Sequence, residues 1–383
     1  MGEGLLTTLC DRQPHYFRAM WVVEIAGEPG CDEGGVQREL MESVLQALFS
    51  SFVRRIPDEI GLDEGESRTY SSVLDGLECT EPLFMVPVGE AVDVLHINPK
   101  ATGKRELQLL KLCGTMCARV VISGVYRSDH SPVPFRLARS MFSNILGVGV
   151  SFASLESDMP SMYDGRVQLL DVPIAELGLD GLSFTETNVV LTNRGEVEMH
   201  EDVEVVHGGR NMELSDENKV AFLNLFAKFL LVDRCQEGLA AFTEGFCEVF
   251  PREHFYIISE SDMELLVCGT SSFDVEDFEQ NVEWTVPRHM ISWFCNTLRR
   301  FSPEQKSRFL QFVTGSSRLP AQGFRGYSPH RIKIRQVPRP ADRLPTSHTC
   351  FNTLDVPLYR DEATLQHKLL VAISVGYEGF GLE

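Results

Sequence analysis

Apolar residues recur at helical spacing in several long stretches and alternate in a few short ones. Leu40, Val44, Leu45 and Leu48 place one stripe on a helix over 36–49, with Gly34-Gly35 as the turn before it. The segment 106–122 predicts a strongly apolar helix and 134–146 a second. Val220, Leu223, Phe226, Phe229 and Leu230 predict a long helix with Ser215 as its N-cap, resuming to Phe250 after a break near Asp233. Asn218 is not the Glu or Gln of a capping box. Further helices are expected over 287–301, over 304–313 behind a Ser302-Pro303 start and before Gly315, and from a cap at Asp361 to about 375. Strands are expected at 20–25, 182–187, 203–206 and 332–337, with Gly208-Gly209 as a turn and 349–352 as a short strand or turn. Residues 55–80, acidic and rich in Gly and Ser, read as a surface excursion. No internal repeat or low-complexity segment is visible.

The chain has 383 residues, 43% of them hydrophobic, enough for two or three domains with sizeable cores. Its formal net charge is −20, which argues against nucleic acid as a partner. The charge is uneven. From Ser272 to Glu383, 14 Lys and Arg face 12 Asp and Glu, while 21 face 43 in the rest. An acidic body beside a near-neutral end points to two units with different neighbours. Gly269-Thr-Ser-Ser272, short, small and polar, is the candidate hinge between them.

Ten cysteines are scattered without a Cys-x-x-Cys pair, so neither a zinc site nor any other metal is expected. Cys113 and Cys117, four apart on a helix, read as small buried hydrophobes rather than a metal pair. Reduced thiols and the lack of a secretory pattern give the cytoplasm, with the nucleus left open, as the expected location. No run of 18 apolar residues predicts a membrane span.

The segment Leu344-Pro-Thr-Ser-His-Thr-Cys-Phe-Asn-Thr-Leu-Asp355 sets Cys350 in a polar run near the C-terminus. A cysteine that carries an acyl group attacks as thiolate, about a few per cent of a free thiol at neutral pH. That suffices against an activated thioester, since thiol-for-thiol exchange is nearly isoenergetic; amide hydrolysis demands a paired base and an oxyanion hole. His348 would lie near the sulfur if the two shared a strand face. Taken alone, Cys350 reads as a buried structural thiol rather than a nucleophile, and His348 as a histidine bonded to backbone.

Several segments resemble the HECT family of ubiquitin ligases. Phe309-Leu-Gln-Phe-Val-Thr-Gly-Ser-Ser-Arg-Leu-Pro320 is similar to a characteristic stretch of that family, 344–352 to its catalytic loop, and Leu369-Leu-Val-Ala-Ile373 with Gly379-Phe-Gly381 to its terminal helix and tail. Glu264-Leu-Leu-Val-Cys-Gly269, Gly208-Gly-Arg-Asn, Ser215-Asp-Glu-Asn-Lys219 and Trp21 to Gly35 resemble upstream parts. The likeness is strong after residue 205 and weaker between 50 and 200. Leu112-Cys-Gly-Thr-Met116 lacks an Arg often seen there, and the first fifteen residues match nothing.

The resemblance implies an α+β fold with a bilobal architecture. A mostly helical N-lobe over 1–268 includes a small subdomain at about 160–235 that docks a ubiquitin-conjugating enzyme. A hinge at Gly269, Thr270, Ser271 and Ser272 leads to a compact α/β C-lobe over 273–383. It implies that Cys350, beside His348 and Thr349, accepts ubiquitin as a thioester and passes it to substrate lysines. Phe222 and Phe226 would line the conjugating-enzyme groove, and Phe380 would assist delivery. The implied partners are ubiquitin, a conjugating enzyme and protein substrates; no cofactor is implied. Two rivals are an inactive HECT-fold module that only docks a conjugating enzyme, and a cysteine hydrolase with a distant His and acid.

Overall fold

In a computed structural model, apolar side chains gather into three separate clusters, and the elements follow from which cluster each one covers. The structure describes residues 3–19, 35–50, 52–54, 79–87, 90, 94–126, 132–179, 181–191, 197–328 and 330–379. The expected strand at 20–25, most of the excursion at 55–80, and Phe380 lie outside them.

The first cluster is built from α1 (Glu3–Cys10), α2 (Pro14–Arg18), α3 (Gly35–Phe49), β1 (Phe52–Arg54), β2 (Phe84–Val86), β3 (Val94–Ile97), α4 (Lys104–Tyr126), β4 (Arg136–Leu137) and α5 (Arg139–Leu146). Its four short strands lie in the order β1-β2-β3-β4. The helix expected over 134–146 is shorter than predicted. Pro134 disfavours helical backbone before it, and Arg136–Leu137 instead pair with Val94 and Leu95 to extend the sheet.

The second set surrounds another core: α6 (Ser154–Asp158), α7 (Pro160–Asp164), the hairpin β5 (Thr185–Leu191) with β6 (Val197–Glu204), and α8 (Lys219–Leu231). The hairpin strands sit off the predicted positions: the first starts three residues later than 182, and the second ends before Val205. Helix α8 begins four residues after the expected cap. Ser215 makes no side-chain cap; Asn218 is the N-cap residue, and its Oδ1 accepts from the Ser215 N–H at 2.8 Å. Asn218 thus makes the back-bond that a capping-box Glu would make.

Helix α9 (Gln236–Val249) returns to the first core and lies along α4. Small residues make this pairing close. A Cβ at Gly245 would fall 1.9 Å from the Lys111 carbonyl oxygen, and one at Gly114 1.9 Å from that of Phe242. The two helix backbones therefore touch where any side chain would hold them apart. Helix α4 contains a stretch long and apolar enough to cross a membrane. Here 72% of that stretch is buried in this core. Buried Cys113 and Cys117 share the helix, and burial drives both thiols up, well away from thiolate. Among the described residues no group of His, Cys, Asp or Glu is arranged to hold a metal.

Helix α10 (Glu260–Cys268) closes the first core and leads to a third set: α11 (Val275–Asn281), β7 (Glu283–Thr285), α12 (Arg288–Arg300), α13 (Pro303–Thr314), β8 (Lys333–Val337), β9 (Thr346–His348), β10 (Thr353–Pro357) and α14 (Glu362–Gly379). Ser302 and Gln305 form a full capping box at the start of α13, and Asp361 Oδ1 accepts from the Thr364 N–H at 2.8 Å. The sheet runs β7-β8-β10-β9, parallel except for its last pair. Long helices beside small, separate sheets make this an α+β fold.

Candidate active site

The site grows from the two faces of the last sheet. Ile334, Leu354 and Val356 point into the core without exposed surface. Asp355 interrupts that apolar run on the other face, where register sets it opposite Arg335 of β8 and Thr346 of β9. A carboxylate so buried needs partners. Arg335 donates Nε to Oδ1 at 2.8 Å and an Nη to Oδ2 at 3.0 Å, a two-pronged grip. His348 Nε2 lies 3.2 Å from Oδ2. Burial alone would raise the Asp355 carboxyl, but the Arg335 and His348 bonds outweigh it and hold it below the usual carboxylate range.

Strand β9 ends at His348, and Thr349–Phe351 form one tight 3-10 turn. The strand alternation that would have set Cys350 on the face of His348 therefore does not extend to it. His348 pairs with a carboxylate rather than with backbone. The turn closes where the Asn352 N–H donates to the Thr349 carbonyl at 3.1 Å. Asn352 is fully buried at φ 49°, the one non-glycine residue with positive φ among the described residues. Asn tolerates that conformation better than most residues. Its Nδ2 donates to the His330 carbonyl at 2.8 Å, and its own carbonyl accepts from the Lys333 N–H at 2.8 Å. Before the turn, the Tyr359 hydroxyl donates to the Arg343 carbonyl at 2.9 Å and Lys368 Nζ to the Asp342 carbonyl at 2.6 Å. The backbone carrying Cys350 is thus pinned on both sides, at a sheet end beside a His–Asp–Arg chain. Phe351, next to the cysteine, is 63% exposed.

The other predicted residues sit elsewhere. Phe222 and Phe226 lie on the inner face of α8, in the core of the second set of elements. Phe226 has no exposed surface and Phe222 is 6% exposed. The Arg166 guanidinium stacks 4.2 Å from the Phe226 ring centre and grips Glu186 with two bonds. The apolar surface facing outward nearby comes from Leu182, Met212 and Val220. Gly269 to Ser272 join α10 to α11, with Thr270 paired to Leu319. Sequence reasoning missed Asp355, Arg335 and Asn352. The signal for Asp355 was a lone carboxylate inside an apolar strand; nothing local marked Asn352, because φ is not written in residue spacing.

The arrangement is a tight turn carrying a cysteine after the edge strand of a small sheet, in a chain whose other two apolar cores are built largely of helices. A family model described as HECT-domain (ubiquitin-transferase) matches residues 77–383, and the chain belongs to that family. Over 391 aligned positions it is 31% identical to E3 ubiquitin-protein ligase UPL1 of Arabidopsis thaliana, covering 99% of this chain and 10% of that protein. It is 30% identical to E3 ubiquitin-protein ligase HUWE1 of Mus musculus, covering 99% and 8%. It is 32% identical to E3 ubiquitin-protein ligase pub1 of Schizosaccharomyces pombe, covering 90% and 44%. The chain thus spans a tenth or less of the length of the first two.

Proposed function

We propose that this chain is the catalytic module of a ubiquitin ligase. The Cys350 thiolate attacks the thioester carbonyl of a charged ubiquitin-conjugating enzyme and expels that enzyme's thiolate, so one thioester replaces another. A substrate lysine amine then attacks the new thioester, the Cys350 thiolate leaves, and the nitrogen loses a proton to solvent or a nearby base. The observation that carries this reading is the family match, which runs unbroken through the Cys350 turn. The His348–Asp355 pair supports it by placing a proton acceptor beside the turn, and Thr349 opens the turn.

The reading divides the chain into 1–268, a hinge at 269–272, and 273–383, supported by separate apolar cores on either side of that segment. It docks the conjugating enzyme on the elements around α8, with Phe222 and Phe226 shaping the groove from beneath. Phe380 then assists delivery, and ubiquitin, the conjugating enzyme and protein substrates are the partners. Cysteines half-buried or buried as free thiols suit a reducing cytoplasm or nucleus. No observation favours a docking-only module.

The test is single-turnover transfer. A conjugating enzyme preloaded with labelled ubiquitin is mixed with the chain and resolved on a non-reducing gel. A thiol-sensitive adduct that vanishes in Cys350→Ala is expected. An adduct that survives that substitution refutes the assignment of the sulfur.

A further inference from the structure

Helix α10 ends at Cys268, leaving carbonyls without helical partners. They are met from the third set of elements, across fifty residues of sequence. Arg318 Nε donates to the Cys268 carbonyl and an Nη to the Gly269 carbonyl at 3.2 Å. Leu319 then exchanges both backbone bonds with Thr270, at 2.8 and 2.9 Å. Gly269 adopts φ 60° and ψ −160°, a region open essentially to glycine. A Cβ there would fall 2.0 Å from the Leu319 carbonyl oxygen. Ser317 Oγ adds a bond to the Pro134 carbonyl. The strap is itself braced, since Thr314 Oγ1 donates to the Ser316 carbonyl and Ser316 Oγ to that of Arg318. Glu264, whose charge acts on Arg318, has its oxygens bonded to Arg136 and Arg139. The Arg318 charge therefore rests on the carbonyl end of α10, where a cation is favoured.

Residues 314–319 thus form a strap around the chain as it leaves the first core. Of the four small residues between α10 and α11, Gly269 and Thr270 are held by it, and the Ser272 N–H donates in turn to Thr270 Oγ1 at 3.0 Å. With the strap closed, the turn bearing Cys350 packs against α3, an element of the first core. Phe222 and Phe226 belong to a different core. The strapped arrangement therefore rests the turn on elements other than those assigned to the conjugating enzyme.

We propose that Arg318 is a positioning residue for lysine-directed transfer, holding the Cys350 turn over α3 once ubiquitin is loaded. This rests on the ligase reading above. Loading requires the turn to face the conjugating enzyme and so does not need the strap; delivery does.

The variants are Arg318→Met, which keeps length and removes the donors, and Arg318→Lys, which restores charge and part of the bonding. Loading from a preloaded conjugating enzyme and discharge to a lysine-containing peptide are timed separately by single turnover. Small-angle scattering of the uncharged full chain is recorded in parallel. For Arg318→Met we expect loading within about twofold of wild type, lysine-directed discharge slowed about tenfold or more, and scattering that reports a wider spread of sizes. Arg318→Lys recovers part of the discharge rate. The proposal is overturned if discharge is unchanged, if loading and discharge fall together, or if scattering is unaltered. Should the wild-type chain itself fail to load, the ligase reading fails, and unaltered scattering would still remove the strap.

Discussion

Asn352 holds two things at once, a left-handed backbone and a side-chain bond to the His330 carbonyl, and two substitutions separate them. Asn352→Gly keeps the backbone conformation and deletes the bond. A lost neutral bond costs about 1 kcal/mol, and at positive φ the freer unfolded backbone of glycine is offset by relief of the left-handed conformation, so roughly 1 kcal/mol is expected. Asn352→Asp keeps shape and backbone tolerance but turns the donor into a carboxylate facing a carbonyl oxygen. A buried charge without a donor costs about 3 kcal/mol or more. That penalty raises the introduced carboxyl above its unfolded pKa of about 4. The loss is therefore full near neutrality and shrinks as pH falls through the raised value. Urea unfolding can be followed by tryptophan fluorescence, since Trp284 and Trp293 pack on this core and the chain has three tryptophans in all. Equal midpoints for the two variants at pH 7, or an Asn352→Asp deficit that stays constant from pH 7 to pH 5, would refute the argument that the amide acts as a donor. The same variants bear on function, because the Asn352 N–H closes the turn that carries Cys350.

Three other outcomes follow from single contacts. Gly245→Ala gains helix propensity of about 1 kcal/mol, yet its methyl meets the Lys111 carbonyl; parting α4 from α9 costs about 3 kcal/mol, so a net loss in thermal or urea stability is expected, and a gain would show that the helices slide apart freely. Asp355→Asn weakens the Arg335 and His348 bonds; because the wild-type carboxyl is held low, its contribution is present above about pH 4 and is lost as pH falls further, so the stability gap between the two proteins should narrow on acidification, and a gap that persists at pH 3 would contradict the assignment. Ser302→Ala removes the acceptor for the Gln305 N–H and should cost about 1 kcal/mol in urea unfolding, with an unchanged midpoint counting against the capping box.

What the sequence made legible depended on how local the cause was. The helices over 104–126 and 288–300 were visible because their apolar periodicity is long. The capping box at Ser302 was half visible, in the Ser-Pro start, because it acts within four residues. Strand positions in the hairpin were misplaced because alternation fixes a face but not an end. The 134–146 segment failed as one helix because pairing of Arg136–Leu137 with a distant strand overrode local pattern.

The candidate site shows the same division more sharply. Cys350 was identifiable through a motif, a contiguous run of residues. Arg335 reaches Asp355 over 20 residues, Asn352 reaches His330 over 22, and Arg318 reaches Cys268 over 50. Each pairing exists only because parallel strands or a returning loop bring distant segments together, so no window of spacing contains it. On the proposed function, a sulfur that meets two partners in turn depends on such long-range ties. A local motif can supply the nucleophile, but only contacts between elements can aim it, and those contacts are where changes in rate should appear without loss of the thiol.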